Sequence, residues 1–288
     1  MVFNKAVLIF FCTLRIHCHI WAILATGSSG YRNYRHQADL CHTHAILRNR
    51  GVSQRRILSL SRDDAAFSAN NPFPGQLFNA PSKRKGHDVH SNCQLTISGS
   101  GANLEAFYAL ITNSFRHQKV YLDSTIEDNL FMSIVDHGSC GQLLFPDGSL
   151  SADDLTQLIW YMSKRSQFKR LLIFIEACQS GSMFDSRELP PRVLAVTASN
   201  SSGASWGIYC PYSDDVIEGR HIGSCLGDAF SVSWMANLGT GTDKLGVFLQ
   251  EVSSATSKSE VNIYGDYSLL DLATSDFFGF EESPIVIV

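Results

Sequence analysis

Leu130-Phe131-Met132-Ser133-Ile134-Val135-Asp136-His137-Gly138 and Leu171-Leu172-Ile173-Phe174-Ile175-Glu176-Ala177-Cys178 share one pattern: an unbroken apolar run that ends in reactive polar residues. Val193-Leu194-Ala195-Val196, running into Thr197-Ala198-Ser199-Asn200, repeats it. Short continuous apolar runs are the signature of strands buried on both faces. Between the first two lies an amphipathic stretch, Ala152 to Lys164, with Ser151 in the N-cap position and Asp153 and Asp154 in its first turn. Those signals predict a helix. Strands alternating with helices predict an α/β fold around a mostly parallel sheet. In such sheets ligands bind beyond the carboxyl ends of the strands. The polar tails holding His137, Glu176, Cys178 and Asn200 are therefore expected on one edge.

Working outward, Trp21 to Ala25 reads as a strand entering the loop Thr26 to Gly30. Residues Arg35 to Arg50 read as a helix, with Gly51 where a C-terminal cap favours glycine. Ile57 to Leu60 is a further strand and Leu104 to Ile111 a further helix, while Asn70 to Gly75 and Ser82 to Asn92 read as loops. Ser98-Gly99-Ser100-Gly101 lacks the Lys-Ser/Thr of a phosphate loop and reads as a turn.

The chain has 288 residues, 44% hydrophobic and 17% charged, which describes a globular protein. A net charge of -4 with no basic block gives no pull toward nucleic acid. Lys5 followed by the apolar run Ala6 to Leu14 has the length of a secretory signal peptide. Residues 1–18 are expected to be that signal and 19–288 a single domain, a buried N-terminal helix or strand being the other reading. The run is too short to span a bilayer and no later one matches it, so no membrane span is expected.

Of the eight cysteines, Cys210 and Cys225 bracket a polar loop that a disulfide could close. No Cys/His group has zinc spacing, and neither metal nor cofactor is expected. His36, Cys41, His42 and His44 read as scattered surface and core positions along one helix.

A cysteine hydrolase needs a thiolate, a base that later protonates the leaving amine, and donors for the oxyanion. His137 and Cys178, 41 residues apart, end strands joined by one helix. A right-handed crossover makes such strands neighbours. Gly138 clears the approach to local backbone N–H groups, and Gly181 permits a tight turn. Spacing alone leaves Cys178 open to two readings, a nucleophile or an inert core thiol.

At these residues the sequence resembles the legumain family (asparaginyl endopeptidases, the vacuolar processing enzymes of plants) among the caspase-like cysteine peptidases. The matching blocks are Asn33 to Asp39, Asp136 to Ser139, Glu176 to Met183 and Leu226 to Asp228, in the family's order. Thr197 to Asn200, Tyr209 to Pro211 and Ser231 to Met235 agree further. The resemblance runs from Trp21 to about Gly279 and implies a caspase-like three-layer sandwich, a mostly parallel central sheet flanked by helices.

By matching motif, Cys178 is implied as the nucleophile and His137 as the acid-base, with Asn33 orienting the imidazole. The N–H groups of Gly138 and Cys178 are implied as the oxyanion hole. Arg35, His36, Glu176, Ser205, Trp206 and Asp228 map to the pocket for the residue before the cut. The activity implied is cleavage after Asn, or after Asp at acidic pH, with peptide ligation as a side activity. The implied partners are Asn-containing peptides or proteins and cystatin-type inhibitors. The implied location is a lysosome or vacuole reached through the secretory pathway, or the outside of the cell.

Some features depart from the family's pattern. Ala204 replaces a pocket serine, residues 82–128 match poorly, and the chain ends at Val288 where family zymogens continue into a helical prodomain. The sequon Asn200-Ser201-Ser202 lies beside the implied pocket. Two other readings compete. One is a transferase like the catalytic subunit of glycosylphosphatidylinositol transamidase, whose Gly-His-Gly and Asp-Thr-Cys-Gln-Gly forms differ from those here. The other is a catalytically impaired relative that only binds peptides or a partner.

Overall fold

The computed structural model describes residues 18–114, 120–212, 214–239 and 243–280. The expected signal segment lies, except for Cys18, outside these described residues.

Seven strands form the central sheet: β1 (Ile20–Thr26), β2 (Ile57–Ser61), β3 (Ile97–Ser98), β4 (Asn129–Val135), β5 (Arg170–Glu176), β6 (Val193–Thr197) and β7 (Asn262–Gly265). Their order is β7-β6-β5-β4-β1-β2-β3, all parallel except the antiparallel edge strand β7. Leu130 pairs with Leu171 and Ile134 with Ile175, so β4 and β5 end level with each other. The crossover between them contains the expected helix, here α3 (Ala152–Lys164). Its Ser151 hydroxyl accepts from the Asp154 N–H at 3.1 Å. Leu155, Leu158, Ile159 and Met162 bury one face at helical spacing.

Alternate residues of each central strand feed two separate cores. Ile23, Met132, Ile134, Ile173 and Ala195 pack under α2 (Leu104–Thr112) and α3. Leu24, Phe131, Phe174 and Val196 pack on the other face against α1 (Tyr34–Asn49), α4 (Ala229–Asn237) and α5 (Leu245–Ala255). There Phe131, Phe174, Trp234 and Phe278 meet ring to ring. Burial on both faces explains the unbroken apolar runs.

Gly51, at φ 85°, ends α1 as its sequence position suggests. The N–H groups of Gly51 and Val52 reach back to the carbonyls of Arg48 and Leu47, the paired bonds of a Schellman turn.

Cys41, read with its neighbouring histidines as one of several scattered surface and core positions, forms a disulfide with Cys93, tying α1 to the loop before β3. Cys210 and Cys225 form a second disulfide. Ser98 to Gly101 is a strand end and one turn of 3-10 helix.

Candidate active site

Because β1, β4, β5 and β6 run parallel, their carboxyl ends open on one edge. His137 lies just beyond β4 and Cys178 just beyond β5. Asn33 closes a 3-10 turn (Tyr31–Asn33) that leads into α1, whose first turn presents Arg35 and His36.

The imidazole of His137 is oriented by one neighbour. Its Nε2 lies 2.8 Å from Asn33 Oδ1. The Asn33 amide nitrogen donates to the Ser29 carbonyl at 2.8 Å, which assigns Oδ1 to the histidine side. Nε2 therefore carries the proton, and Nδ1 is left as the basic atom. Burial, then the Arg35 charge, lowers the His137 pKa, favouring the neutral base.

Cys178 is half-buried. Its thiol donates toward the Ser205 carbonyl at 3.6 Å, and the Ser205 hydroxyl lies 3.9 Å from the sulfur. Gln179, at φ 53°, makes the turn after it, and its N–H bonds the Gly203 carbonyl at 2.7 Å. A Cβ on Gly138 would overlap the Cys178 carbonyl oxygen, and one on Gly181 would meet the Tyr264 hydroxyl at 2.6 Å. Both glycines are thus required by close approach, and Gly138 lies against the Cys178 backbone.

Beside this pair lies an ionisable cluster. Arg35 Nε donates to Asp228 Oδ1 at 2.8 Å. Glu176 Oε2 accepts from the Ser231 N–H and hydroxyl at 2.8 and 3.0 Å. The other oxygens, Glu176 Oε1 and Asp228 Oδ2, are buried without a hydrogen-bond partner. His36 Nδ1 bonds the Ser28 hydroxyl at 2.6 Å, and its Nε2 sits 3.6 Å from Asp228 Oδ2. Its ring packs edge-on against that of His137, with centroids 5.0 Å apart. Trp206 is about half exposed beside Ser205.

Gly207 is pressed between Arg35 and the Cys210–Cys225 disulfide: a Cβ there would meet Arg35 Cδ at 3.1 Å and Cys225 Sγ at 3.2 Å. The ten sequence-derived positions therefore cluster at one edge. Sequence reasoning gave no role to Ser28 and Gly207, whose contacts come from chain crossings, nor to Asp39 and Ser231, which end or open matching blocks, nor to Asp136. Asp39, Ser231 and Asp136 all lie in blocks that match the family, so their signal was present.

Burial pushes the Asp136 carboxyl up to about 8, against the His137 N–H that favours its charge. Burial, then the Asp228 charge, pushes Glu176 up to about 8, and Asp39 is raised for the same two causes. His90 is raised by its bond to Asp63, and its second nitrogen faces the Gly75 carbonyl, so both ring nitrogens donate. His36, His42, His44 and His137 are lowered, chiefly by burial.

These shifts fix a sign. Between about pH 4 and 8 the folded carboxyls of Asp136 and Glu176 hold protons that the unfolded chain releases, so their stabilisation is lost as pH rises, and raised Asp39 acts in the same direction. The lowered histidines oppose this only below their unfolded value of about 6.5. Thermal unfolding should therefore occur at lower temperature at pH 8 than at pH 6.5, and Asp136→Asn, which mimics the neutral acid, should reduce that difference. A melting temperature that rises over this interval would contradict the assignment.

A sequence profile described as the Peptidase C13 family matches residues 20–280. The vacuolar-processing enzyme delta-isozyme of Arabidopsis thaliana is 39% identical over 75% of this chain and 47% of its own length. The hemoglobinase of Schistosoma mansoni is 34% identical over 90% of this chain and 59% of its own. The vacuolar-processing enzyme beta-isozyme 1 of Oryza sativa subsp. japonica is 34% identical over 90% and 55%. The chain thus spans about half the length of the curated relatives it matches. Caspase-1 from Spodoptera frugiperda superposes with a TM-score of 0.50 at 16% identity, covering 94% of this chain and 93% of its own, which shows a caspase-like fold. Through a profile match that spans nearly all of the described residues, and relatives above one-third identity, the chain belongs to the C13 family of peptidases.

Proposed function

We propose that the protein is a cysteine endopeptidase that cleaves after Asn through Cys178 and His137. His137 Nδ1 takes the thiol proton, and the Cys178 sulfur attacks the carbonyl carbon. The oxyanion is held by the N–H groups of Gly138 and Cys178. Collapse breaks the C–N bond and His137 returns the proton to the leaving amine; water then attacks the acyl carbon with His137 as base, breaking the C–S bond, and the proton goes back to the Cys178 sulfur. Asn33 keeps the imidazole in the tautomer this requires.

The observation that carries the specificity is the pair of buried, unpartnered oxygens, Glu176 Oε1 and Asp228 Oδ2, beside the Arg35 guanidinium. A carboxamide is both donor and acceptor: its N–H groups supply Asp228 Oδ2, and its oxygen takes bonds from Arg35 and from the proton that Glu176, pushed up to about 8, holds on Oε1. A side chain without the amide leaves those groups unpaired in the complex, at a large cost in transition-state binding. A protonated Asp can imitate the amide.

Short peptides differing only in the residue before the cut test this reading. The Asn peptide should be cleaved at least a hundredfold faster than its Ala counterpart. Cleavage of the Asp peptide should grow as pH falls toward the carboxyl pKa of about 4. Equal rates for Asn and Ala would sink the specificity. The names of the plant relatives favour a vacuolar or lysosomal site of action.

A further inference from the structure

Trp206, one residue from the Ser205 carbonyl that meets the nucleophile, keeps about half its surface exposed. The Lys258 ammonium lies over its ring, 5.7 Å from the centroid. The segment carrying Lys258 is fastened to the loop before Trp206 at two points. The Ser259 hydroxyl donates to the Ala204 carbonyl at 3.3 Å, and Glu260 Oε2 accepts from the Asn200 amide at 2.7 Å. Glu260, the nearest acid in sequence, is thereby engaged elsewhere, and Lys258 has no ion pair among the described residues. Lys258 is held at φ 63°, a left-handed backbone in a tethered turn.

The short strand Gly207–Ile208 pairs with Gly227–Asp228 in a two-stranded ribbon, and among the described residues no strand lies along its other edge. A peptide added antiparallel along that edge gains main-chain hydrogen bonds. With the side chain of the cleaved residue directed into the pocket beside Ser205, strand alternation sets the preceding residue opposite Trp206, on the same face as the indole.

Resting on the reading of cleavage after Asn, we infer that Lys258, set over the outer face of Trp206 at the rim of the Asn pocket, forms with that indole a specificity subsite for the residue immediately before the Asn, selecting an acidic side chain there. The aliphatic part of that side chain lies on the indole, and its carboxylate meets the ammonium. A basic side chain at the same position faces an unneutralised like charge.

The test uses three matched peptides with Glu, Gln or Lys immediately before Asn, assayed with the native protein and with Lys258→Glu. The native protein should prefer Glu to Lys by about fivefold in kcat/KM, as expected for one partly exposed charge pair. The preference should shrink at high salt. Lys258→Glu should invert it, and Lys258→Met should abolish it. A Glu/Lys ratio that is the same in all three proteins overturns the subsite while leaving the Asn reading intact. Failure of all three peptides to be cleaved overturns both.

Discussion

Cys178→Ala is expected to lower turnover of an Asn peptide by about 10⁶-fold, the loss typical of removing a catalytic nucleophile. Its fold should survive. The Cys178 side chain is half-buried at a strand end and meets only Ser205 among its polar contacts, so the substitution opens no core cavity. Cys140, exposed in the turn after Gly138, provides the control, and its replacement by Ala should leave the rate near that of the native protein. A fluorogenic peptide assay, with circular dichroism to confirm folding, measures both. A residual rate within a hundredfold of native would transfer the chemistry to another group.

Arg35→Ala is expected to have the second largest effect, about a 10³-fold fall in kcat/KM for the Asn peptide. Two losses combine in it. The carboxamide loses its cationic donor, and Asp228, Asp39 and Glu176 lose the guanidinium whose charge they share. Removing one partner of a buried ion pair costs about 3–5 kcal/mol, so the denaturant midpoint should fall as well. Arg35→Lys should restore part of the stability but little of the activity. One ammonium cannot bond Asp228 and also present a planar fork to an amide. The kinetic loss should not follow the stability loss: at temperatures where Arg35→Ala is fully folded, the defect should persist.

Much of this arrangement was legible in the sequence, for identifiable reasons. The runs Leu130 to Val135, Leu171 to Ile175 and Val193 to Val196 are strands covered on both faces, so their apolar character is continuous. Their parallel direction then places His137, Cys178 and Asn200 on one edge without further information. The α3 helix is readable because its cap, first-turn acids and apolar spacing are all local.

What was hidden depends on contacts between distant segments. Nothing near Cys41 announces Cys93, because the bridge joins a helix to a loop 52 residues away in sequence. Gly207 looks like any strand glycine until Arg35 and Cys225 are seen on either side of it. Lys258 lies in a polar surface run, and only the fold brings its ammonium over Trp206. The motif match placed Arg35, Glu176 and Asp228 in one pocket, but the pairing of Asp228 Oδ1 with Arg35 had to come from the structure. That bond leaves Oδ2 as the oxygen available to a ligand.

Covalent labelling tests directly whether Cys178 is a nucleophile served by a pocket that reads a carboxamide. The protein is treated with a peptide whose terminal Asn carries a thiol-reactive electrophile in place of its carbonyl carbon, and the adduct is located by mass spectrometry. One adduct is expected, on Cys178, slowed by excess Asn peptide and strongly reduced in Arg35→Ala. Equal labelling of Cys140, or labelling of Cys178 that is indifferent to Ala in place of Asn, would contradict it.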